Sequence, residues 1–317
     1  MFEFITAIRA LATVLITNSH YEIVYPIKAL ATGGLLGNSL FFIVSGFCLA
    51  NIKEPFIPWF SKRIVRIYPS CFIASVVWLL LGGNLNGIGG FIRLFIYPTK
   101  FGFLSKIIAL YIPYYFILKG IKHSVRTKIS WISGSLTCMV FGLLLLSTII
   151  VPQFCEWFYY LALMLLGANI RTTEVNPSKT NRICFGLLSF GLLVTYYAVE
   201  WLIRGNSRWV TYNALNYLTL LACTCFIIMF FRMLEDVISR IAEKKLYKLI
   251  SFLADRTLEI YLAQVLILPI FPQLPFPLSV FVLTVLIIIL ASILKIIGDF
   301  LIKIVNRGFL LIITDNH

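Results

Sequence analysis

Carboxylates are scarce in this sequence: 13 Asp and Glu stand against 27 Lys and Arg in 317 residues. Histidine is scarcer, with three copies. Charges of both signs make up 13% of the chain, against about 25% in a soluble domain. With 60% hydrophobic residues and a mean hydropathy of +0.94, one water-soluble core could not hide so much apolar surface. The bilayer is the natural solvent for such a chain, which reads as a polytopic membrane protein. Its excess of positive charge would suggest nucleic acid in a soluble protein, but there is no nucleic-acid-binding motif, and the charge is better explained by cytoplasmic loops.

Other absences narrow the chemistry. The seven cysteines are odd in number, and nearly all lie in apolar runs. No CxxC occurs, and Cys223-Thr-Cys225 has the wrong spacing for a redox or zinc pair, so they read as small core hydrophobes. No His, Cys and carboxylate cluster has metal spacing, and no metal is expected. Walker A, GxSxG, HExxH, GxGxxG and HxxxxD patterns are missing. The N-terminus lacks a basic leader region and Arg9 interrupts the first apolar run, so the first span is expected to stay in the mature protein.

What is present is a series of apolar runs of about 20 residues, the length of a membrane span. They fall at 3–20, 34–52, 68–84, 103–119, 132–151, 155–170, 183–203, 212–232, 253–271 and 278–302. The run at 155–170 is short. The glycine-rich stretch 82–102 contains "GGNLNGIGG", which does not favour a stable helix and is expected as a re-entrant or interfacial piece. With the N-terminus inside, eighteen Lys and Arg fall in inner loops and the C-terminal end, six in outer loops and three within spans. That bias predicts an all-α bundle of about ten spans with both termini cytoplasmic. No linker or repeat divides residues 1–317, which are expected to form a single integral-membrane domain.

Ionisable groups in spans cost roughly 2.5–3.5 kcal/mol and are functional candidates by default. The first span carries Arg9 and ends on "LITNSHY", with His20. Eleven residues at about 100° each bring Arg9 and His20 within about 20° of one face, roughly 16 Å apart along the axis. Thr6, Thr13 and Thr17 flank that line, and Asn18 lies opposite. Such a polar stripe should face protein or a wet cavity. The competing reading of His20 is a residue that tolerates the membrane boundary.

The second span, "GGLLGNSLFFIVSGFCLAN", has Gly33 and Gly37 at helix-packing spacing, with Asn38 and Ser45 on one face. Asn38 lies in the outer half, and His20 is a plausible partner for it. In "WFSKRIVRIYP", Lys62, Arg63 and Arg66 stand at the cytoplasmic entrance of the third span. Arg63 and Arg66 share a helical face, suited to phosphate, although a basic run there is also an ordinary membrane anchor. In the ninth span, "DRTLEIYLAQ" places Glu259 at a depth like that of Arg9. Glu259 is expected to pair with Arg9, or locally with Arg256.

"IRALATVLITNSHY", "GNSLFFIVSGFCLAN" and "WFSKRIVRIYP" together resemble the N-terminal signature of the acyltransferase-3 family, and "LEIYLAQ" resembles its late motif. The specific part is 4–70; 85–250 resembles the family in hydropathy alone. The resemblance implies a membrane enzyme that moves an acyl group, usually acetyl, from cytosolic acyl-CoA to a hydroxyl of a surface or lipid-linked sugar. Such an acceptor includes O-antigen polysaccharide, and the location implied is the bacterial inner membrane.

By resemblance His20 is the catalytic histidine and Arg9 the first-helix arginine. Ser45-Gly46-Phe47 matches the SGF motif, and Tyr261 the tyrosine of the late motif. Ser45, Lys62, Arg63 and Arg66 are expected at the acyl-CoA, here acetyl-CoA as co-substrate. Asn38 or Tyr261 would orient His20 or stabilise the oxyanion. Two departures stand out: Gln264 replaces a histidine common in the family, and Asn18 lies where acidic residues are common. Proton abstraction by a neutral imidazole and an acyl-histidine relay are both compatible with the sequence. The rival class is a transporter, flippase or polymerase of surface-polysaccharide assembly. The partners expected are the bilayer and a glycan, with no nucleic acid.

Overall fold

The computed structural model describes residues 2–122, 142, 155–175, 178–205, 213–245 and 247–314. Among these the chain is all-helical. Six helical segments are long and apolar enough to cross a membrane: Lys28–Leu49, Phe56–Leu80, Gly102–Gly120, Lys179–Ile203, Leu215–Met233 and Leu278–Val305. The expected span at 132–151 lies outside the described residues. Those at 3–20 and 155–170 form helices of 17 and 18 residues that do not join the six.

The helices are α1 (Glu3–Ser19), α2 (Gly34–Leu49), α3 (Phe56–Leu80), α4 (Gly87–Phe91), α5 (Gly102–Lys122), α6 (Cys155–Thr172), α7 (Lys179–Gly205), α8 (Asn213–Met233), α9 (Glu235–Ala242), α10 (Tyr247–Asp255), α11 (Thr257–Ile267) and α12 (Leu278–Thr314). Two expected boundaries are corrected. The third span begins at Phe56 and runs straight through Pro69, so Lys62, Arg63 and Arg66 ride on the helix itself. Membrane helices tolerate an internal proline because neighbours can satisfy the freed carbonyl. The ninth span is broken at Arg256, between α10 and α11. In the 82–102 stretch, residues 82–86 are not helical, but helix does form from Gly87 despite the glycines: the five-residue α4 continues as a π-helical turn, Ile92–Ile96.

The chain divides into two compact units. The first comprises Met1–Val14, Leu35–Lys53 and Ile112–Ala254; the second comprises Leu15–Gly34, Glu54–Tyr111 and Asp255–His317.

In the first unit, α2 and α6 meet through paired glycines. A Cβ on Gly46 would stand 2.0 Å from the Met164 carbonyl oxygen, and one on Gly167 would stand 2.0 Å from that of Ile43. Small residues replace hydrophobic driving force in this way, by letting backbones touch. Phe42 stacks on Tyr160 at 4.1 Å in the same interface, and the Tyr114 hydroxyl donates to the Gly46 carbonyl at 2.7 Å. A second close approach, in the second unit, lies at Gly34, where a Cβ would meet the Ser19 hydroxyl oxygen. Gly33 instead supplies a φ of 98° at the entry to α2, a conformation that costs glycine little. At the start of α1, the Glu3 and Phe4 amides donate to the Glu235 carboxylate at 3.0 and 2.7 Å. That anion satisfies two orphan donors and complements the helix dipole.

In the second unit, α12 packs against α11 and α3. Gly298 allows the approach to α3: a Cβ there would meet the Ser70 hydroxyl oxygen at 2.6 Å. The start of α12 is tied to the loop after α1. The Ser279 hydroxyl donates to the Val24 carbonyl at 3.2 Å, and Tyr21 and Thr284 share a hydroxyl hydrogen bond of 2.8 Å.

Candidate active site

The polar line on α1 is turned towards protein. Thr6 and Thr13 are buried, Arg9 is half-buried, and the exposed position is Val14, at 51%. Through Val14 the helix belongs to the first unit; from Leu15 it belongs to the second. The candidate residues divide the same way. Arg9, Asn38 and Ser45 lie in the first unit, whereas His20, Lys62, Arg63, Arg66 and Tyr261 lie in the second.

His20 sits just past the last turn of α1, outside the six long apolar segments, and every neighbour on its strand of chain is fastened. Its amide donates to the Thr17 carbonyl at 3.1 Å. The Thr17 hydroxyl accepts from the side-chain amide of Gln264, which is 99% buried. Asn18, on the opposite face, donates to the carbonyls of Leu30 and Thr32 at 2.8 and 2.9 Å and accepts from the Tyr25 hydroxyl at 2.7 Å. Tyr21 is held by Thr284. The imidazole itself makes no hydrogen bond among the described residues and is exposed at one side. Enough protein surrounds the rest to hold its pKa below the usual 6.5 by desolvation. The result is a neutral base on a pinned backbone. A cavity of about 510 Å³ is lined by the loop after α1 and the segment after α11, including Val24, Tyr25, Pro26, Leu268, Phe271 and Phe276.

The reason an apolar segment ends on Asn18 and His20 now has two parts. Asn18 staples the following loop to the helix, and the His20 side chain takes no part in that stapling. Asn18→Leu removes three hydrogen bonds at once. It is expected to destabilise the second unit by about 1–3 kcal/mol. A lowered melting temperature of the purified protein checks this; an unchanged one would show that the loop holds itself.

Tyr261, half-buried on α11, accepts from the Phe103 amide at 3.5 Å and packs on the Phe103 ring at 5.6 Å. With its oxygen engaged as an acceptor, its O–H proton remains for another group. Glu259, two residues earlier, is 5% exposed and accepts from the Ser70 hydroxyl at 2.9 Å. Its charged surroundings within this unit are Lys295 and Asp299 on α12, themselves paired at 2.8 Å. Sequence reasoning missed this cluster. Its signal was visible as "KIIGD", a cation and an anion four residues apart in an otherwise apolar helix.

On α3 the three basic residues differ in availability. Lys62 is ion-paired with Glu54. Arg63 lies over the Trp59 ring at 4.5 Å and donates to the Trp59 carbonyl at 2.7 Å. Arg66 is exposed and makes no ion pair among the described residues.

In the first unit, Asn38 is half-buried and its side chain is hydrogen-bonded to Tyr160, a partner not foreseen. Ser45 is half-buried beside Gly46, whose place is steric. Phe47 is 1% exposed and has Arg171 over its ring at 4.9 Å and Arg232 at 5.8 Å. Arg232 also donates to the Ile170 and Thr173 carbonyls, satisfying the end of α6. In the sequence these two arginines counted only towards the charge bias.

A helical chain with six segments long and apolar enough to cross a membrane belongs to the class of integral membrane proteins. Residues 2–297 match the acyltransferase-3 family, described as an acyltransferase domain. The chain belongs to that family, whose members are membrane acyltransferases. No curated protein and no solved structure matches it.

Proposed function

We propose that this protein transfers an acyl group, acetyl by resemblance, from cytosolic acyl-CoA to a hydroxyl of a surface or lipid-linked sugar at the inner membrane of a bacterium. The observation that carries the reading is His20: an imidazole free of internal hydrogen bonds among the described residues, on a stretch of chain fastened by Gln264, Tyr21 and Asn18. A side chain kept only for packing would not need that arrangement.

In the proposed reaction, His20 takes the proton of the sugar hydroxyl as its oxygen attacks the thioester carbonyl. The Tyr261 O–H donates to the oxyanion that forms. Collapse of the tetrahedral species breaks the carbon–sulfur bond. The CoA thiolate leaves and takes the proton from the imidazolium, yielding ester and free thiol. Arg63 and Arg66 engage the coenzyme's phosphates at the cytoplasmic side, with Lys62 as a further donor.

Membranes holding the protein, incubated with radiolabelled acetyl-CoA, should move label into a glycan or lipid-linked sugar. A transporter or polymerase would leave the label in the coenzyme. Among the donor contacts, Arg66→Ala is expected to raise KM for acetyl-CoA about tenfold with kcat little changed, because it removes binding shared by ground and transition states. Lys62→Ala should do less, since Glu54 already neutralises that charge. A lowered kcat with unchanged KM would move Arg66 out of the donor site.

A further inference from the structure

The glycine-rich segment after α3 lines a second, open cavity of about 340 Å³, whose polar residues are exposed and which the proposed reaction leaves unused. Its lining includes Trp78, Asn84, Asn86, Arg93, Thr99 and Lys100, all of the second unit. Its wall is fixed by specific packing. The Trp78 ring is backed by Gly83, where a Cβ would stand 2.4 Å from the ring atoms. Gly82 and Gly87 have φ of 91° and 63°, so the chain turns there as only glycine does readily. Leu94 is 3% exposed, and its carbonyl accepts from the Ser75 hydroxyl at 3.0 Å.

Within this wall the Lys100 ammonium lies 4.8 Å from the Trp78 ring centre, a cation–π contact that places the charge without neutralising it. Arg93 lines the same space. No carboxylate pairs with either cation among the described residues. The segment's other side is apolar and exposed, with Ile88 at 82% and Ile96 at 61%. That side suits the hydrocarbon boundary, which leaves the polar cavity at the membrane surface. Two unneutralised cations with two side-chain amides and a hydroxyl form a donor set for an oxyanion that carries neighbouring hydroxyls.

We infer that this cavity binds a carboxylate or phosphate on the sugar acceptor, making it a specificity subsite for an acidic glycan. The assignment to the acceptor rests on the acyltransferase reading and its outward placement of 82–102. A link within the unit supports it. Three residues after Lys100, the Phe103 amide donates to Tyr261, the proposed oxyanion donor.

The test uses the full chain in zwitterionic lipid nanodiscs. Glucuronic acid, glucose 1-phosphate and glucose are titrated by saturation-transfer NMR. Both charged sugars should bind more tightly than glucose, and R93Q/K100Q should weaken them about tenfold while leaving glucose unchanged. In the acyl assay, R93Q/K100Q should keep wild-type acetyl-CoA turnover with water or a neutral acceptor and lose any preference for an acidic one. Equal binding of charged and neutral sugars, or charged-sugar binding unaffected by R93Q/K100Q, overturns the site. Binding confined to anionic phosphatidylglycerol added to the discs overturns the acceptor assignment in favour of a lipid headgroup. If the wild type never consumes acetyl-CoA yet R93Q/K100Q still abolishes charged-sugar binding, the enzyme reading fails and the anion site stands.

Discussion

Replacing His20 with alanine is expected to slow acyl transfer by a factor of about 10²–10⁴, the usual contribution of a positioned general base. The protein should still accumulate in the membrane at its normal level. The imidazole makes no hydrogen bond among the described residues, so its removal leaves no buried donor or acceptor unsatisfied. The backbone ties of Thr17, Asn18 and Tyr21 do not pass through it. The same residue sets the pH dependence. Desolvation lowers its pKa from 6.5, so the neutral, base-competent form dominates at pH 7. The wild-type rate should therefore be level through neutrality and fall only as the pH drops through the lowered value, below 6.5. Radiolabel transfer measured across pH, with acyl-CoA saturating, checks both statements. An H20A protein at full activity would reject the assignment of the base, and an acid limb centred above 6.5 would reject the desolvated environment.

The second large effect concerns folding. Gly46→Ala should cost about 3 kcal/mol or more, at the upper end of overpacking penalties. The added methyl would meet the Met164 carbonyl at 2.0 Å. A backbone atom on a packed helix cannot rotate away as a side chain can. α2 and α6 would have to part, weakening the Phe42–Tyr160 stack and the Tyr114 hydrogen bond to the Gly46 carbonyl. Gly191→Ala is the control, because nothing lies within 4 Å of its added carbon. There the gain in helix propensity should leave stability equal or slightly higher. Thermal melting of the detergent-purified variants separates the two. A G46A protein that melts with the wild type would show that α2 and α6 do not touch as described. The outcome also bears on the SGF stretch, whose glycine then matters as a space and not as a chemical group.

Much of the first helix could be read before any coordinates. Turning by about 100° per residue puts Arg9, Thr13 and His20 near one line. The burial of Thr6 and Thr13 with Val14 exposed follows that line. Asn18 was separable from His20 by the same arithmetic, since it falls on the opposite face. The helix boundaries were less legible: the third apolar run starts at 68, yet α3 begins at Phe56 and passes through Pro69, so the three basic residues ride on the helix itself.

The sequence by itself determined the medium and the secondary structure, because composition and hydrophobic period are local properties. It also determined the candidate base, because only one histidine stands at the end of an apolar run. Tertiary structure alone decided the partners. Glu259 meets Ser70, with Lys295 and Asp299 near; Asn38 meets Tyr160; Gln264 meets Thr17; Gly46 faces Met164. Each of these joins segments more than a hundred residues apart or on different helices. No periodicity links such positions. The pairing is chosen by which helix faces can approach closely enough to satisfy a polar group that lipid would leave bare.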